Sequence, residues 1–126
     1  MKKDKKGAFA TAKFTAVISD LHLCEEEPVN LRFPLWKKYK TREFFFDNIF
    51  EDFLNHIQKK AAGEKIELIL AGDIFDFDSV MARPEAPPYR VSWLEKKRGL
   101  HPQEEKSLFK IKKILTDHLV WVEALS

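Results

Sequence analysis

The sequence predicts an α/β fold, because two apolar runs that each end in acidic residues are separated by an amphipathic segment. The first run predicts a strand over about residues 14–19, and the second predicts a strand over about residues 66–71. Neither run has a continuous polar face, which is typical of a parallel sheet covered on both sides. The order strand, helix, strand predicts a right-handed βαβ crossover with a parallel pair of strands.

The segment between the strands, residues 41–62, has the residue spacing of a helix. Acidic residues occupy its early turns and two lysines close it, which is the distribution that the helix dipole favours. Thr41 is the predicted N-cap, and Gly63 is the predicted left-handed stop. Its apolar positions recur every three or four residues and predict one core-facing stripe, made of Phe46, Ile49, Phe50, Phe53, Leu54 and Ile57.

The remaining segments divide into a tail, two irregular stretches and a final helix. Residues 1–13 are basic and are predicted to be a flexible tail, which leaves 14–126 as a single domain. Prolines make residues 25–42 and 79–101 irregular. Each of these two loops either contacts the substrate or docks on the surface of the domain. The candidates for substrate contact in the second loop are Arg83, Tyr89, Arg90 and Trp93.

The last helix is predicted to begin near Pro102, a residue suited to a first helical position. Acidic side chains follow in its first turn, where the helix dipole favours them. Its predicted buried stripe consists of Leu108, Ile111, Ile114, Leu115 and Leu119.

Composition narrows the function classes only modestly. The 126 residues are 44% hydrophobic and 33% charged, which is typical of a globular protein rather than a disordered one. A net charge of +2 favours no polyanionic partner and gives no specific indication of nucleic-acid binding. The sequence contains no apolar run long enough for a transmembrane helix and no convincing secretory leader, so we expect a cytoplasmic protein.

Candidate metal ligands follow both predicted strands. Asp20 and His22 come after the first strand, and Asp73 follows Gly72 after the second. Ligands of open α/β sheets collect at the carboxyl ends of strands, and alternate residues of an extended segment point the same way. Carboxylate and imidazole donors suit Mn, Fe or Zn. The sole cysteine, Cys24, is interpreted as a small packing residue, with a ligand role as the alternative.

The runs Asp20-Leu21-His22 and Gly72-Asp73-Ile74-Phe75-Asp76 resemble the first two motifs, D-x-H and G-D-x-x-D, of the calcineurin-like metallophosphoesterases. The flanking residues are most similar to the bacterial branch that includes UDP-2,3-diacylglucosamine pyrophosphatases. The resemblance implies a β-sandwich flanked by helices, of which this chain would form the N-terminal part from about Phe14. The later family motifs, G-N-H-[D/E], a further His and G-H-x-H, have no counterpart in the sequence.

The resemblance also implies a chemistry. Members of the family hydrolyse phosphomonoesters, phosphodiesters or pyrophosphates with two divalent ions, Mn, Fe or Zn. Asp20 and His22 would hold the first ion, and Asp73 would bridge both. Asp76 would either support a metal ligand from behind or fix the loop, and Asp78 is predicted to be solvated. The family's general acid is a histidine of an absent motif, so no catalytic residue is assigned here. We therefore expect little activity from the chain alone, which would need the C-terminal half of the domain or a complementing chain, and peripheral membrane contact stays open.

Two other classes fit the same residues. A non-catalytic α/β interaction module would carry Asp20, His22 and Asp73 as relics and would bind no metal. Another phosphotransfer fold with a nucleophilic Asp after its first strand is the second alternative. The haloacid-dehalogenase form of that fold needs D-x-D, whereas this sequence has a histidine at position 22.

Overall fold

A computed structural model of the chain describes residues 11–26 and 47–126. In these ranges the protein is a mixed α/β unit with a two-stranded parallel sheet, which confirms the predicted class at that level. The predictions for residues 1–10 and 27–46, which include Thr41 and Phe46, lie outside the described residues. The strands are β1 (Phe14–Ile18) and β2 (Ile66–Leu70), and the helices are α1 (Asp47–Ala61), α2 (Trp93–Arg98), α3 (Glu104–Asp117) and α4 (Leu119–Ala124).

The sheet pairs β1 with β2 in parallel, from Phe14 opposite Ile66 to Ile18 opposite Leu70. Ile18 and Leu68 pack against the hydrophobic core. The paired residues Val17 and Ile69 are 64% and 40% exposed, so the expectation of a sheet covered on both sides is wrong for the described residues. The reason is that α3 and α4 do not cover this second face. They contact each other, and in addition α4 packs on α1 and α3 contacts the turn after β2.

Helix α1 buries a narrower stripe than its sequence pattern predicts. Phe50 and Leu54 are buried, whereas Ile49 is 66% exposed and Phe53 is 39% exposed. The stripe is narrow because the main partner of α1 is another helix, α4, which covers only part of its apolar face. The helix ends as predicted, with Gly63 at a φ of 86°, and Ala62 before it is also left-handed.

Helix α2 lies inside the stretch 79–101, so the prediction that this stretch is wholly irregular is wrong. Ser92 caps the helix: its side chain accepts a hydrogen bond from the Glu95 N–H, and the Glu95 carboxylate accepts one from the Ser92 N–H. This is a complete capping box. Gly99 ends the helix at a φ of 92°, where a Cβ would lie 2.7 Å from the Val80 carbonyl oxygen.

Helix α3 departs from its prediction in both start and orientation. It begins at Glu104 after the N-cap Gln103, so Pro102 precedes the helix rather than opening it. Within the predicted stripe, Ile114 is buried and Leu115 packs against the core, whereas Leu108 and Leu119 are more than half exposed. Lys106 and Lys110, which the pattern assigns to solvent, are buried. Lys106 is buried because its ammonium lies 2.6 Å from the buried Glu95 carboxylate. A break at His118 then separates α3 from α4.

The hydrophobic core lies between α1, the C-terminal helices and the loops that follow the strands. Trp121 of α4 connects these parts, because its ring is 5.7 Å from that of Phe50 and 5.8 Å from that of Phe75. The described helices are all too short or too polar to cross a bilayer. The fully or nearly fully buried core side chains are Leu23, Phe50, Leu54, Val80, Ile114 and Trp121.

Candidate metal site

The two motif-bearing loops continue the pairing of the strands that precede them. The Asp20 N–H donates to the Gly72 carbonyl oxygen at 3.3 Å, and the His22 N–H donates to that of Asp73 at 2.9 Å. Leu23 then forms a parallel bridge with Phe75. The first motif is therefore fixed to the second by backbone hydrogen bonds.

The three predicted ligands share an uncommon backbone conformation. Asp20, His22 and Asp73 have φ values of 58°, 49° and 47°. Among the described residues other than glycine, only Ala62 also has a positive φ. Such conformations cost roughly 1–3 kcal/mol each and persist where the surroundings over-determine them, often at functional sites. Asp and His tolerate this region better than most residue types.

This conformation changes the explanation for the convergence of Asp20 and His22. We expected an extended segment with alternate side chains on one side, but β1 ends at Ile18 and the two residues lie beyond it. Each is turned by its own left-handed backbone. Gly72, at a φ of 70°, gives the second loop its turn, and no atom lies within 4 Å of a Cβ added there. Gly72 is thus suited to the turn by its backbone freedom, not by close approach.

The structure brings Asp20, His22 and Asp73 together. One ligand atom from each lies within 4.8 Å of the other two, and all three residues are exposed. Ligand atoms about 2.0–2.2 Å from one zinc-sized ion are separated by at most about 4.4 Å, so small side-chain adjustments would seat an ion. Two carboxylates and one imidazole also match the donors that Mn, Fe and Zn accept. The residues present therefore fit a divalent ion.

Two carboxylates flank the His22 ring. Its Nε2 lies 3.9 Å from Oδ1 of Asp20, and its Nδ1 lies 3.8 Å from Oδ2 of Asp76. Asp76 is only 8% exposed, and its other oxygen accepts a hydrogen bond from the Ser79 N–H at 3.2 Å. A buried carboxylate beside the ring nitrogen that faces away from an ion is the usual arrangement for a metal-binding histidine.

The site opens to solvent through a shallow depression of about 360 Å³. Its lining is strongly acidic, which favours a cation over a free anion. Asp78, predicted to be solvated, is exposed on this rim. The lining residues are His22, Asp73, Phe75, Asp76, Phe77 and Asp78.

The other sequence candidates do not join the triad. Cys24 is buried and belongs to no metal-holding group among the described residues, in agreement with a packing role. His56 is exposed on α1. The substrate-contact candidates in the second loop do not line the acidic depression: Arg83 lines a separate cavity, Tyr89 lies beneath the Lys106 ammonium, Trp93 stacks with Lys97, and Arg90 is exposed.

Sequence reasoning missed two polar contacts that support the site from behind. The Glu25 carboxylate accepts hydrogen bonds from the Met81 and Ala82 N–H groups, at 2.6 Å and 3.0 Å, and so ties the first loop to the segment after the second. His118 is fully buried, and its Nε2 lies 2.8 Å from the Cys24 carbonyl oxygen. No local pattern indicates either contact, because the partners are far apart in the sequence.

Comparisons with known proteins supply no relative for this fold or this site. No family model, no curated protein and no solved structure matches the chain. The motifs and the geometry of the described residues are therefore the basis for a proposed function.

Proposed function

We propose that this chain belongs to a metal-dependent phosphoester hydrolase, similar to the calcineurin-like enzymes, and carries the first half of its metal site. The observation that carries the proposal is the convergence of Asp20, His22 and Asp73 from the carboxyl ends of two parallel strands. Two features support it further: the left-handed backbone shared by these three residues, and the buried Asp76 carboxylate beside the His22 ring.

Each residue has a distinct task in this proposal. Asp20 and Asp73 supply anionic oxygens, and His22 supplies a neutral ring nitrogen. Asp76 faces Nδ1 of His22, so it favours a hydrogen on that nitrogen and leaves Nε2 to act as the ligand. A divalent ion bound here would stabilise charge on phosphoryl oxygens and lower the pKa of a bound water to about 7.

The proposed enzyme needs residues that this sequence does not contain. The chain has no Gly-Asn or Gly-His pair, and its remaining histidines are His56, His101 and His118. His56 and His101 are exposed and do not join the triad, and His118 is buried against Cys24 and Asp47. We therefore expect weak metal binding and little hydrolysis until further protein, in the same polypeptide or in a partner, completes the site.

Calorimetric titration with Mn²⁺, at protein and metal concentrations high enough to detect the expected weak binding, tests the proposal. The wild-type chain should bind the ion, and Asp73→Asn should abolish binding because an amide supplies no negative charge. Asparagine also tolerates a left-handed backbone, so this variant should keep its fold, which circular dichroism would check. Asp78→Asn is the matched control on the same depression and should bind Mn²⁺ like the wild type.

The outcomes separate the proposal from the interaction-module alternative. A module that carries relic residues predicts no heat of Mn²⁺ binding in any of the three proteins. Equal binding by wild type and Asp73→Asn would also overturn the proposal, because the ion would then lie elsewhere.

A further inference from the structure

A buried polar network connects α1, the α3–α4 junction and the first metal loop. His118 has no exposed surface, and its two ring nitrogens have different neighbours. Nδ1 lies 2.6 Å from Oδ1 of Asp47, and Nε2 lies 2.8 Å from the Cys24 carbonyl oxygen. A carbonyl oxygen can only accept, so Nε2 carries a hydrogen and donates it. The second carboxylate oxygen of Asp47 accepts from the Trp121 N–H at 3.1 Å, which fixes Asp47 in turn.

The Cys24 end of this network is close to the metal ligands. Cys24 follows His22 by two residues, a separation of at most about 7 Å along the chain. Leu23 between them is fully buried, and its N–H and carbonyl bond to Ile74 and Asp76, both at 2.8 Å. A shift of the Cys24 carbonyl would therefore disturb the first loop and its pairing with the second.

The strained ligand loop requires such an anchor. Asp20 and His22 are left-handed and lie beyond the end of β1, so the regular ladder of the strands no longer holds this segment. Two backbone hydrogen bonds, to Gly72 and Asp73, continue the pairing there. Strained backbone persists only where surrounding contacts over-determine it. On the C-terminal side of His22, those contacts include the Leu23 bonds, the bonds that the Glu25 carboxylate accepts from the segment after the second loop, and the bond from His118 to Cys24.

We propose that His118 is a positioning residue that holds the Asp20–His22 loop in its metal-binding shape. It acts through the Cys24 carbonyl and touches neither the ion nor the substrate. Asp47 orients the imidazole so that Nε2 points at Cys24. This inference rests on the proposed function, since the effect is expressed as affinity for a divalent ion.

Two neutral substitutions of His118 separate the two ends of the network. The terminal amide nitrogen of glutamine corresponds in reach to Nε2, so His118→Gln can still donate to Cys24. The amide nitrogen of asparagine corresponds to Nδ1, so His118→Asn can reach Asp47 but not Cys24. Both variants lose one hydrogen bond of a buried group, and we expect both to lower Tm.

Mn²⁺ affinity and hydrogen exchange should distinguish these variants. Loss of a residue that orients a metal ligand typically lowers metal affinity about 10–100-fold, which is the loss expected for His118→Asn. His118→Gln should bind Mn²⁺ close to the wild-type affinity. In the metal-free protein, the Leu23 amide should exchange faster in His118→Asn than in His118→Gln. Equal Mn²⁺ affinity in the two folded variants would overturn the role of His118.

A third variant covers the case in which His118→Asn does not fold. Asp47→Asn keeps the imidazole but weakens its orientation, so it should raise the Kd for Mn²⁺ by a smaller factor, and an unchanged Kd would overturn the proposal. Failure of the proposed function has a different signature. The wild-type chain would then bind no Mn²⁺, whereas exchange of the Leu23 amide would still report whether His118 holds the loop.

Discussion

Nδ1 of His22 lies 3.8 Å from Oδ2 of Asp76, a carboxylate that is almost completely buried. This distance is longer than a hydrogen bond, so the two groups are close to each other but do not form a hydrogen bond. Nε2 on the opposite side of the same ring lies 3.9 Å from Oδ1 of Asp20, one of the proposed ligands. The second aspartate of the G-D-x-x-D run would thus act on a metal through a histidine of the first motif.

Asp76→Asn should lower Mn²⁺ affinity by about 10–100-fold without unfolding the protein. The asparagine side-chain oxygen can still accept from the Ser79 N–H, so the turn after β2 keeps its cap. What the variant loses is the negative charge beside His22. Titration calorimetry measures the affinity, and Asp78→Asn serves again as the control. Wild-type affinity in Asp76→Asn would show that this carboxylate does not orient the ring.

Gly72→Ala should destabilise the fold by about 1–2 kcal/mol, because alanine is strained in the left-handed region. Gly63 is a matched control, since it is also left-handed and also has no atom within 4 Å of an added Cβ. Denaturant unfolding should give similar losses for the two alanine variants. Only Gly72→Ala should weaken Mn²⁺ binding, because Asp73 follows it directly. Equal Mn²⁺ affinities of the two variants would show that the turn at Gly72 does not shape the metal site.

Glu95→Gln should make the thermal stability of the fold less sensitive to a fall in pH. The hydrogen bond from the buried Lys106 ammonium, together with backbone N–H groups of Ser92 and His101, holds the pKa of Glu95 far below its usual 4.5. Because the folded-state pKa is the lower one, this carboxylate stabilises the fold above pH 4.5, and the contribution is lost as the pH falls further. Thermal melts between pH 7 and pH 3 should therefore fall less steeply in the variant.

The control for this prediction is the exposed pair Lys13–Glu64, whose side chains are 61% and 52% exposed. Glu64→Gln should change neither Tm nor its pH dependence appreciably, because exposed ion pairs contribute little. Glu95→Gln should also lower Tm at pH 7, since it leaves the buried Lys106 ammonium without its carboxylate. Identical acid profiles for wild type and Glu95→Gln would contradict the assignment.

Ile114→Ala should cost about 2–5 kcal/mol, as expected for truncation of a fully buried isoleucine. Leu108→Ala on the same helix should stay within about 0.5–1 kcal/mol, because Leu108 is 52% exposed. Urea unfolding of the two variants compares them directly. Similar losses would mean that α3 packs with the face that the sequence pattern alone predicts.

The position of the candidate site could be predicted because it depends on local rules. Apolar runs mark the strands, and the carboxyl ends of parallel strands meet at one edge, so Asp20 and Asp73 had to approach one another. The left-handed conformations could not be predicted, because they depend on the cross-loop hydrogen bonds that Asp20 and His22 make. The pattern therefore indicated which residues meet but gave the wrong reason for their convergence.

The C-terminal part was harder to predict because polar residues determine its packing. Helix α2 had a readable signal in Ser92 and Glu95, which form a capping box at the expected spacing. The choice of the face that α3 buries had no such signal, because Lys106 is buried only through Glu95, a partner eleven residues away. Hydrophobic periodicity assigns lysine to solvent, so it placed Leu108 in the core instead.

The parallel pairing of β1 with β2 also has a consequence for the order of folding. Thr15 and Glu67 lie opposite each other although 52 residues separate them in the chain. Closing so long a loop is slow, and the ligands converge only after it has closed. A divalent ion that needs all three side chains would then bind only weakly to the folding transition state. Such an ion would prolong the lifetime of the native state by slowing unfolding, and the refolding rate would stay nearly unchanged.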